Sequence, residues 1–331
     1  MWFCANLSRR TATARDRAEQ LVAIGRKSGD EALLLEAIQC RWSTAFFRGD
    51  IARLLADSRE GIRHYDLERH SRLGAEYGGH DPGVCAHVVL GLGLAQYGST
   101  REARDIIDRG VALGERLENP SSLTFACMNA MTGYEIIGDR AAVSRLAARM
   151  IEVADKFNLP PQRSIAIFMS GWIAACEGNL TEGLQIMESE FARVSMMGPL
   201  PPFYAGLLAS VRLEDGQVAR ALEPLDAILK TVKEPGVGFF LPEIQRLRAE
   251  CLLRLDPANF DEAVREFETA IATAKQQQAR VFWLRAAIGL SRAWAAKGIR
   301  EKGTAQLHEA VSAFSGDDEP AELATARQLL F

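Results

Sequence analysis

A short junction recurs along this chain at intervals of about forty residues, and it limits the possible folds more than any other feature. Its turn position is glycine in six of seven copies, and glycine reaches the left-handed backbone that closes many helices without a steric penalty. The turn positions are Gly49, Gly98, Gly138, Gly178, Gly216, Ala258 and Gly298. Successive subtraction of those numbers gives spacings of 49, 40, 40, 38, 42 and 40.

A mostly small residue lies five positions after each turn, where the buried face of a second helix would begin. These residues are Leu54, Ala103, Val143, Gly183, Ala221, Ala263 and Gly303. Two helices in a unit of about forty residues are typical of an α-solenoid, in which each unit packs only against its neighbours. The sequence therefore predicts an all-α fold, a right-handed α-solenoid of helix pairs.

Helical periodicity predicts one repeat array over residues 1–331. Early helices are expected at 15–26, 31–47 and 51–65, followed by an irregular loop near 66–82. The later pairs are expected at 83–97 with 101–117, 121–137 with 140–157, 161–177 with 180–196, 202–214 with 217–232, 240–255 with 260–277, and 280–297 with 300–314. A capping helix is expected near 319–330. Pro224 lies inside one predicted helix, which should begin late or kink there.

Charge and composition argue against several classes of protein. The net charge is −4 and both signs are interspersed, so no basic surface for nucleic acid is expected. Charges interrupt the apolar runs, and the first ten residues lack the pattern of a secretion signal. The six cysteines are scattered singly, which is typical of buried thiols in a reducing compartment. We therefore expect a cytoplasmic protein that binds neither nucleic acid nor membrane.

The units resemble the tetratricopeptide repeat (TPR) in a lengthened form. Counted from Gly98, the Leu-Gly pair of that family falls on Leu90 and Gly91, and its small residue falls on Ala103. The last unit has matching positions at Leu290, Ser291 and Trp294. Two units depart from the small position, at Met131 and Cys251. The resemblance implies a TPR-like array in which not every unit satisfies a strict consensus.

A more specific resemblance begins with the run from His64 to His70 and continues through residues 77–85. Its most distinctive part is Tyr-Gly-Gly-His-Asp-Pro-Gly, at residues 77–83. With most of the chain from about residue 15, these runs resemble the C-terminal repeat region of bacterial multidomain adenylate/guanylate cyclases or transcriptional regulators with a STAND-type (AAA-like) ATPase. The resemblance implies a sensor or scaffold segment within a larger signalling ATPase. It does not transfer the cyclase or ATPase activity to this segment.

The densest group of metal-ligand residue types is His80, Asp81, Cys85 and His87. Histidine and cysteine are the usual zinc ligands. However, Cys85 and His87 would diverge by about 200° on a helix, at about 100° per residue. No second cluster supplies a fourth ligand, so we expect no metal and no cofactor.

The same run is also explained by helix capping, with Asp81 as the N-cap and Pro82 as the first helical residue. A contact to a small effector through Tyr77, His80 and Asp81 remains an alternative. In that alternative the segment is a small-molecule effector-binding regulatory domain.

The sequence has no Walker-type phosphate loop and no Gly-x-Ser-x-Gly elbow, so we expect no catalytic activity of this segment itself. The first helix of each pair should line the inner wall of a superhelix. A protein, a peptide or another domain of the same polypeptide would bind there. The residues predicted to contribute polar groups to that groove are Arg163, Gln245, Arg246 and Arg248.

Overall fold

The computed structural model describes residues 11–77, 79–196, 200–232, 238–314 and 320–330. Within those ranges the regular structure is entirely helical, so the predicted all-α class is confirmed. The first helices are α1 (Thr11–Ser28), α2 (Glu31–Arg48), α3 (Ile51–His64), α4 (Leu67–His70) and α5 (Leu73–Glu76). The stretch predicted as an irregular loop therefore contains two helices of a single turn each.

Six regular antiparallel pairs follow, with ends that lie within a few residues of the predicted ones. They are α6 (Pro82–Tyr97) with α7 (Thr100–Arg116), α8 (Pro120–Ile137) with α9 (Arg140–Phe157), α10 (Pro160–Cys176) with α11 (Leu180–Val194), α12 (Pro201–Glu214) with α13 (Val218–Lys230), α14 (Leu241–Leu255) with α15 (Phe260–Gln277), and α16 (Arg280–Ala296) with α17 (Arg300–Ser312). The last helix is α18 (Glu322–Leu329). None of the helices in the described ranges is both long and apolar enough to cross a membrane.

The predicted junctions explain this regularity. All six turn glycines have a positive φ, between 72° and 101°. The seven residues that lie five positions after the turns are all buried. The seventh turn is built differently, because a short 3₁₀ helix occupies Pro257–Asn259. Its cap is Asp256, whose carboxylate accepts a hydrogen bond from the Ala258 N–H at 2.8 Å. An aspartate therefore replaces the left-handed glycine at this junction.

Helices α10 and α11 approach closely because two facing positions have no side chain. A Cβ atom placed on Gly183 would lie 2.5 Å from the Ala175 nitrogen and 2.5 Å from the Gly171 carbonyl oxygen. A Cβ on Gly171 would lie 2.9 Å from the Gly183 oxygen. These neighbours are backbone atoms, which cannot turn aside as a flexible side chain can. The separation of this helix pair therefore depends on both glycines.

Helix α13 contains Pro224 but begins at Val218, close to its predicted start. Because proline has no N–H, the carbonyl of Arg220, four residues earlier, loses its usual helical donor. The buried guanidinium of Arg212 on α12 donates to that carbonyl at 2.8 Å. Its Nη2 also contacts Glu188 at 2.9 Å. A side chain of the preceding helix thus satisfies the carbonyl that the proline leaves without a donor.

Ion pairs connect the second helices of neighbouring units across the outer surface. Arg53 pairs with Glu19 at 2.5 Å, Arg149 pairs with Glu115 at 2.7 Å, and Lys275 pairs with Glu309 at 2.6 Å. Each partner lies 34 residues away, which is about one repeat. Exposed pairs contribute only about 0–1 kcal/mol each. Their regular placement favours one register between neighbouring units.

The C-terminal units fold back onto the N-terminal ones, which the repeat period alone does not predict. The rings of Phe46 and Phe239 stack with centroids 4.4 Å apart. Gln96 donates from Nε2 to the Phe239 carbonyl at 3.1 Å. Arg280 donates to the Tyr97 hydroxyl at 2.7 Å, and its guanidinium lies over the Tyr97 ring. Contacts within the chain itself therefore cover part of the inner wall.

Candidate functional site

A central cavity of about 350 Å³ lies on the inner side of the array. The first helices of the pairs from α8 to α16, together with α18 and the first residue of α9, supply its walls, as expected for the inner wall of a superhelix. Its deepest charged residues are Glu135, Glu243, Arg246, Arg285 and Glu322. Charged side chains on four different helices thus meet in a largely buried space.

Arg285 is the centre of this charged cluster. Its guanidinium lies 2.6 Å from Glu322, 3.5 Å from Glu243 and 3.7 Å from Glu135. Arg246 adds contacts to Glu243 at 2.7 Å and to Glu250 at 2.5 Å. Four carboxyl groups therefore share two guanidinium groups.

Burial raises the pKa of Glu135 to about 7, although the charge of Arg285 acts in the opposite direction. Burial also acts to raise the pKa of Glu243, but the charges of Arg246 and Arg285 hold it below the usual value. The two carboxyls differ because Glu243 lies close to both arginines and Glu135 to one of them. Near neutral pH, Glu135 is therefore the carboxyl of this cluster that exchanges a proton.

The mouth of the central cavity carries exposed charges of both signs, on Arg140, Glu214 and Arg292. Arg140 donates to the Cys176 carbonyl at 3.4 Å. None of the three forms an ion pair with any residue that the structure describes. They differ in this from Arg53, Arg149 and Lys275 on the outer surface and are available to a binding partner.

The four residues predicted for the polar groove lie in different places. Arg246 faces the central cavity. Arg163 is exposed and pairs with Asp155 at 2.7 Å. Gln245 is buried beside a shallow cavity between α13 and α15. Arg248 contacts carboxylates of the second helices, and these are Asp226, Glu262 and Glu266. The structure therefore brings one of the four to the inner wall, and a binding role for them stays a prediction.

A second cavity, here called the lateral cavity, has a volume of about 700 Å³. It lies between α2, the segment before α6, α6 itself and α8, and its walls are mainly apolar. Its lining residues are Leu21, Leu33, Glu36, Ala37, Gln39, Cys40, Trp42, Ser43, Phe46, Phe47, Leu73, Gly74, Tyr77, Gly79, His80, Cys85, Val89, Phe125 and Asn129. Pockets of about 300–1,000 Å³ with mostly apolar walls are typical of small-molecule sites.

Two of the three residues predicted to contact an effector line this lateral cavity. The side chain of Tyr77 is 52% exposed. The ring of His80 stacks on Phe125 with centroids 4.3 Å apart, and its Nδ1 lies 3.1 Å from the Ser121 hydroxyl. Burial lowers the pKa of His80, so its ring is neutral at pH 7.

Asp81, the third predicted residue, has a structural role as the N-cap of α6. Its carboxylate accepts hydrogen bonds from the Val84 N–H at 2.8 Å and from the Tyr65 hydroxyl at 2.9 Å. Its own N–H donates to the Ser122 hydroxyl at 2.9 Å. The expected cap before Pro82 is thus confirmed, and contact of Asp81 with an effector stays a prediction. Gly78, in the middle of this run, is outside the described residues.

Sequence reasoning missed the polar face that α2 presents to the lateral cavity. Glu36, Gln39, Cys40 and Ser43 all line it. They follow the helical spacing i, i+3, i+4 and i+7, which places them on one side of the helix. The same spacing is typical of an ordinary solvent-facing stripe, so the sequence alone could not separate the two cases.

Burial is the main cause of the pKa shifts on this face of α2. It raises the pKa of Glu36 to about 7, and the negative charge of Asp81 adds to the effect. It also raises the pKa of the Cys40 thiol to about 12, so that side chain is a neutral thiol rather than a reactive thiolate. Glu36 is therefore the group on this face that changes charge near neutral pH.

The change Glu36→Gln should stabilise the protein at alkaline pH. A carboxyl whose pKa is raised by folding costs stability as the pH rises from about 4.5 to 7 and above. After allowance for partial exposure, we expect the free energy of unfolding to rise by about 1–3 kcal/mol at pH 8 and to change little at pH 4.5. Urea denaturation at the two pH values measures this. Glu182→Gln, at an exposed position of α11, is the control, and equal effects of both changes would contradict the prediction.

No group of three or more histidine, cysteine, aspartate or glutamate side chains is placed to hold a metal ion among the residues described. Within the described ranges, the apolar lateral cavity and the charged central cavity are two features with the shape of a binding site. The lateral cavity suits a small organic molecule, and the mouth of the central cavity suits a polar macromolecular surface.

Comparison with known proteins supports the fold. No protein-family model matches the sequence. An uncharacterized protein of Rhizobium meliloti (strain 1021) is 23% identical over 274 residues, which are 82% of this chain and 26% of that protein. The chain thus spans about a quarter of the length of that relative.

Among solved structures, the APC/C hetero-tetramer Cut9–Hcn1 is similar with a TM-score of 0.59 at 14% identity, covering 96% of this chain and 52% of that one. A tetratricopeptide repeat protein from Parabacteroides merdae has a TM-score of 0.46 at 11% identity and covers 95% of this chain and 97% of that one. The helix pairs described above, with the similarity to the Cut9–Hcn1 structure, confirm the predicted α-solenoid of TPR-like helix pairs as the fold. At these identities the likeness concerns architecture alone.

Proposed function

We propose that this chain is a non-catalytic interaction and sensor scaffold that binds a protein, a peptide or another domain of the same polypeptide. The observation that carries the proposal is the set of unpaired charges at the mouth of the central cavity, Arg140, Glu214 and Arg292. They are held on different units of a stacked array, so one elongated partner could contact all of them. Complementary charges on such a partner would set specificity and the rate of association.

We further propose that the scaffold is the repeat region of a larger signalling ATPase, linked to a cyclase or a transcriptional regulator, and that it is cytoplasmic. The relative from Rhizobium meliloti supports a larger parent, because the matched segment is only 26% of that protein. The resemblance of residues 77–83 to cyclase- and regulator-linked repeat regions supports the signalling context. Sequencing the gene on both sides of this segment tests it, since an ATPase domain in the same reading frame is expected.

The scaffold function is tested by reversing two charges at the mouth, with Arg140→Glu and Arg292→Glu in one variant. We expect proteins captured from the source cells by the original chain to be retained about tenfold less by this variant, because each lost charge contact costs about 1 kcal/mol or more. Arg149→Glu is the control, since that residue is paired on the outer surface. Mass spectrometry of the captured proteins measures the effect. Equal retention by all three chains would contradict binding at the mouth.

A second candidate function is binding of a small-molecule effector, and the lateral cavity supports it. Its volume and aromatic walls suit a small ligand, and Tyr77 and His80 lie at its edge. A ligand that binds only the folded chain raises the unfolding temperature in proportion to the logarithm of its concentration. Thermal unfolding in the presence of metabolite fractions is therefore the direct test of this second function.

A further inference from the structure

The most informative feature of the lateral cavity is its charge. Of the described residues that line it, Glu36 is the single carboxylate and none is lysine or arginine. His80 is neutral at pH 7. Besides burial, the negative charges of Asp30 and Glu76 raise the pKa of the Tyr77 hydroxyl at the opening. In the same way, the negative charge of Asp81 adds to the effect of burial on the pKa of Glu36. The cavity therefore has a negative potential, which repels anions and attracts a cation.

Two hydrogen-bond acceptors on the α2 face of the lateral cavity lack donors. No hydrogen bond or ion pair joins Glu36 to another residue within the described part of the chain. The Oε1 atom of Gln39, one turn along the same face, is buried and accepts no hydrogen bond. A buried acceptor without a donor costs about 1–3 kcal/mol. A ligand that supplies N–H groups would satisfy both residues at once.

The rest of the wall is aromatic and apolar. Trp42, Phe46 and Phe47 line the cavity from α2, Phe125 lines it from α8, and Tyr77 lies at the opening. Aromatic faces attract a nearby cation and also bury the apolar body to which the cation is attached. A bare metal ion would find a single carboxylate here and too few oxygen ligands.

We propose that the lateral cavity binds a protonated organic amine with an aromatic or other apolar body, whose ammonium group pairs with Glu36 and donates to Gln39. This inference rests on the effector-binding function given above as the second candidate and names the chemical class of the effector. An ammonium group has three N–H donors and no acceptor, which matches the two acceptors on α2 that lack a donor, the Glu36 carboxylate and the Oε1 atom of Gln39. A neutral ligand would leave the Glu36 carboxylate unpaired, and an acid would be repelled by it.

The binding test uses two matched sets of probes with the full chain at pH 8. The first set is tryptamine, tryptophol and indole-3-acetate, and the second is dodecylamine, dodecanol and dodecanoate at concentrations below micelle formation. Within a set the apolar body is constant and only the polar group changes. Calorimetric titration should show one of the amines binding at least about tenfold more tightly than its alcohol, and no binding of its acid.

Three variants connect that result to the cavity. Glu36→Gln should make the amine and the alcohol bind equally. Ser43→Phe, which fills the cavity, should abolish binding of every probe. Glu182→Gln, at an exposed position of α11, should change nothing. An amine that still binds at least about tenfold more tightly than its alcohol in Glu36→Gln would overturn the proposal.

The pH dependence of amine binding to the unsubstituted chain is a second test, and it does not depend on the folding of any variant. The titratable groups that face Glu36 are Cys40 on α2, Tyr77 and His80 before α6, and Asp81 and Cys85 at the start of α6. Burial raises the pKa of both thiols and of Asp81 and lowers that of His80, and Glu36 is the group whose pKa is raised to about 7. Because the amine stays charged throughout, its affinity should rise about tenfold over that range.

The remaining outcomes separate the failure of this inference from the failure of effector binding. If an alcohol or an acid binds as tightly as the amine and Ser43→Phe removes that binding, the cavity is an effector site but the amine class is wrong. If none of the six probes binds at 1 mM or below its solubility limit, the proposal is overturned and the second candidate function loses its support. The scaffold function is independent of both results.

Discussion

Replacing Gly183 with valine should destabilise the array by about 3 kcal/mol or more. The new Cβ would lie 2.5 Å from two backbone atoms of α10, so the helices must separate rather than adjust a side chain. Overpacking usually costs about 1–3 kcal/mol, and this site lies at the upper end because rigid backbone provides the contact. The branched side chain adds crowding against its own helix. Urea denaturation followed by far-ultraviolet circular dichroism measures the loss.

Gly206→Ala is the matched control for that prediction. This glycine also lies inside a helix, α12, but a Cβ there would lie 3.4 Å from a Leu247 methyl group, which is ordinary contact. Alanine is preferred over glycine within a helix by about 0.5–1 kcal/mol, so this change should stabilise the protein. If both variants shift stability in the same direction, the close approach of α10 and α11 is not the cause.

Replacing Arg285 with methionine should cost about 3–5 kcal/mol at pH 8, because loss of one partner of a buried charge cluster leaves the others uncompensated. Methionine keeps much of the volume but leaves Glu135 and Glu322 without their guanidinium partner. The loss should shrink near pH 5, because the pKa of Glu135 is already about 7 and a protonated carboxyl needs no counter-charge. Urea denaturation at the two pH values tests both statements.

Arg149→Met serves as the control for the charge cluster. It also removes a guanidinium, but the pair with Glu115 is solvent-exposed on the outer surface. We expect a loss below about 1 kcal/mol that varies little between pH 5 and pH 8. A comparable loss for both arginines would mean that burial of the central cluster does not decide its energy.

Most of the fold could be predicted from the sequence because its determinants are local. Turn glycines such as Gly98 and capping residues such as Asp81 act over a few positions, so their effects can be read in order along the chain. The turn at Ala258 differs from the glycine turns because Asp256 caps a 3₁₀ helix there. The carbonyl that Pro224 leaves without a donor could not have been assigned to Arg212, which lies on another helix.

The candidate sites were harder to predict because they depend on contacts between distant parts of the chain. The run around His80 was recognised from its unusual composition, and the structure places it beside the lateral cavity. Glu36 could not be distinguished from a surface residue, since its environment is set by segments about 40 and 90 residues away, near His80 and Phe125. Likewise, nothing local indicates that Arg285 meets Glu135, which is 150 positions earlier by subtraction of their numbers.

The contacts of Gln96 and Tyr97 with Phe239 and Arg280 also have a mechanical consequence. A solenoid with unconnected ends stretches like a spring and can unzip one unit at a time from either end. Here the two halves are clasped across the superhelical axis, so lengthening requires those contacts to break first. When the array is pulled from its ends, the force should therefore rise to a sharp maximum, at which these contacts break, before the array lengthens.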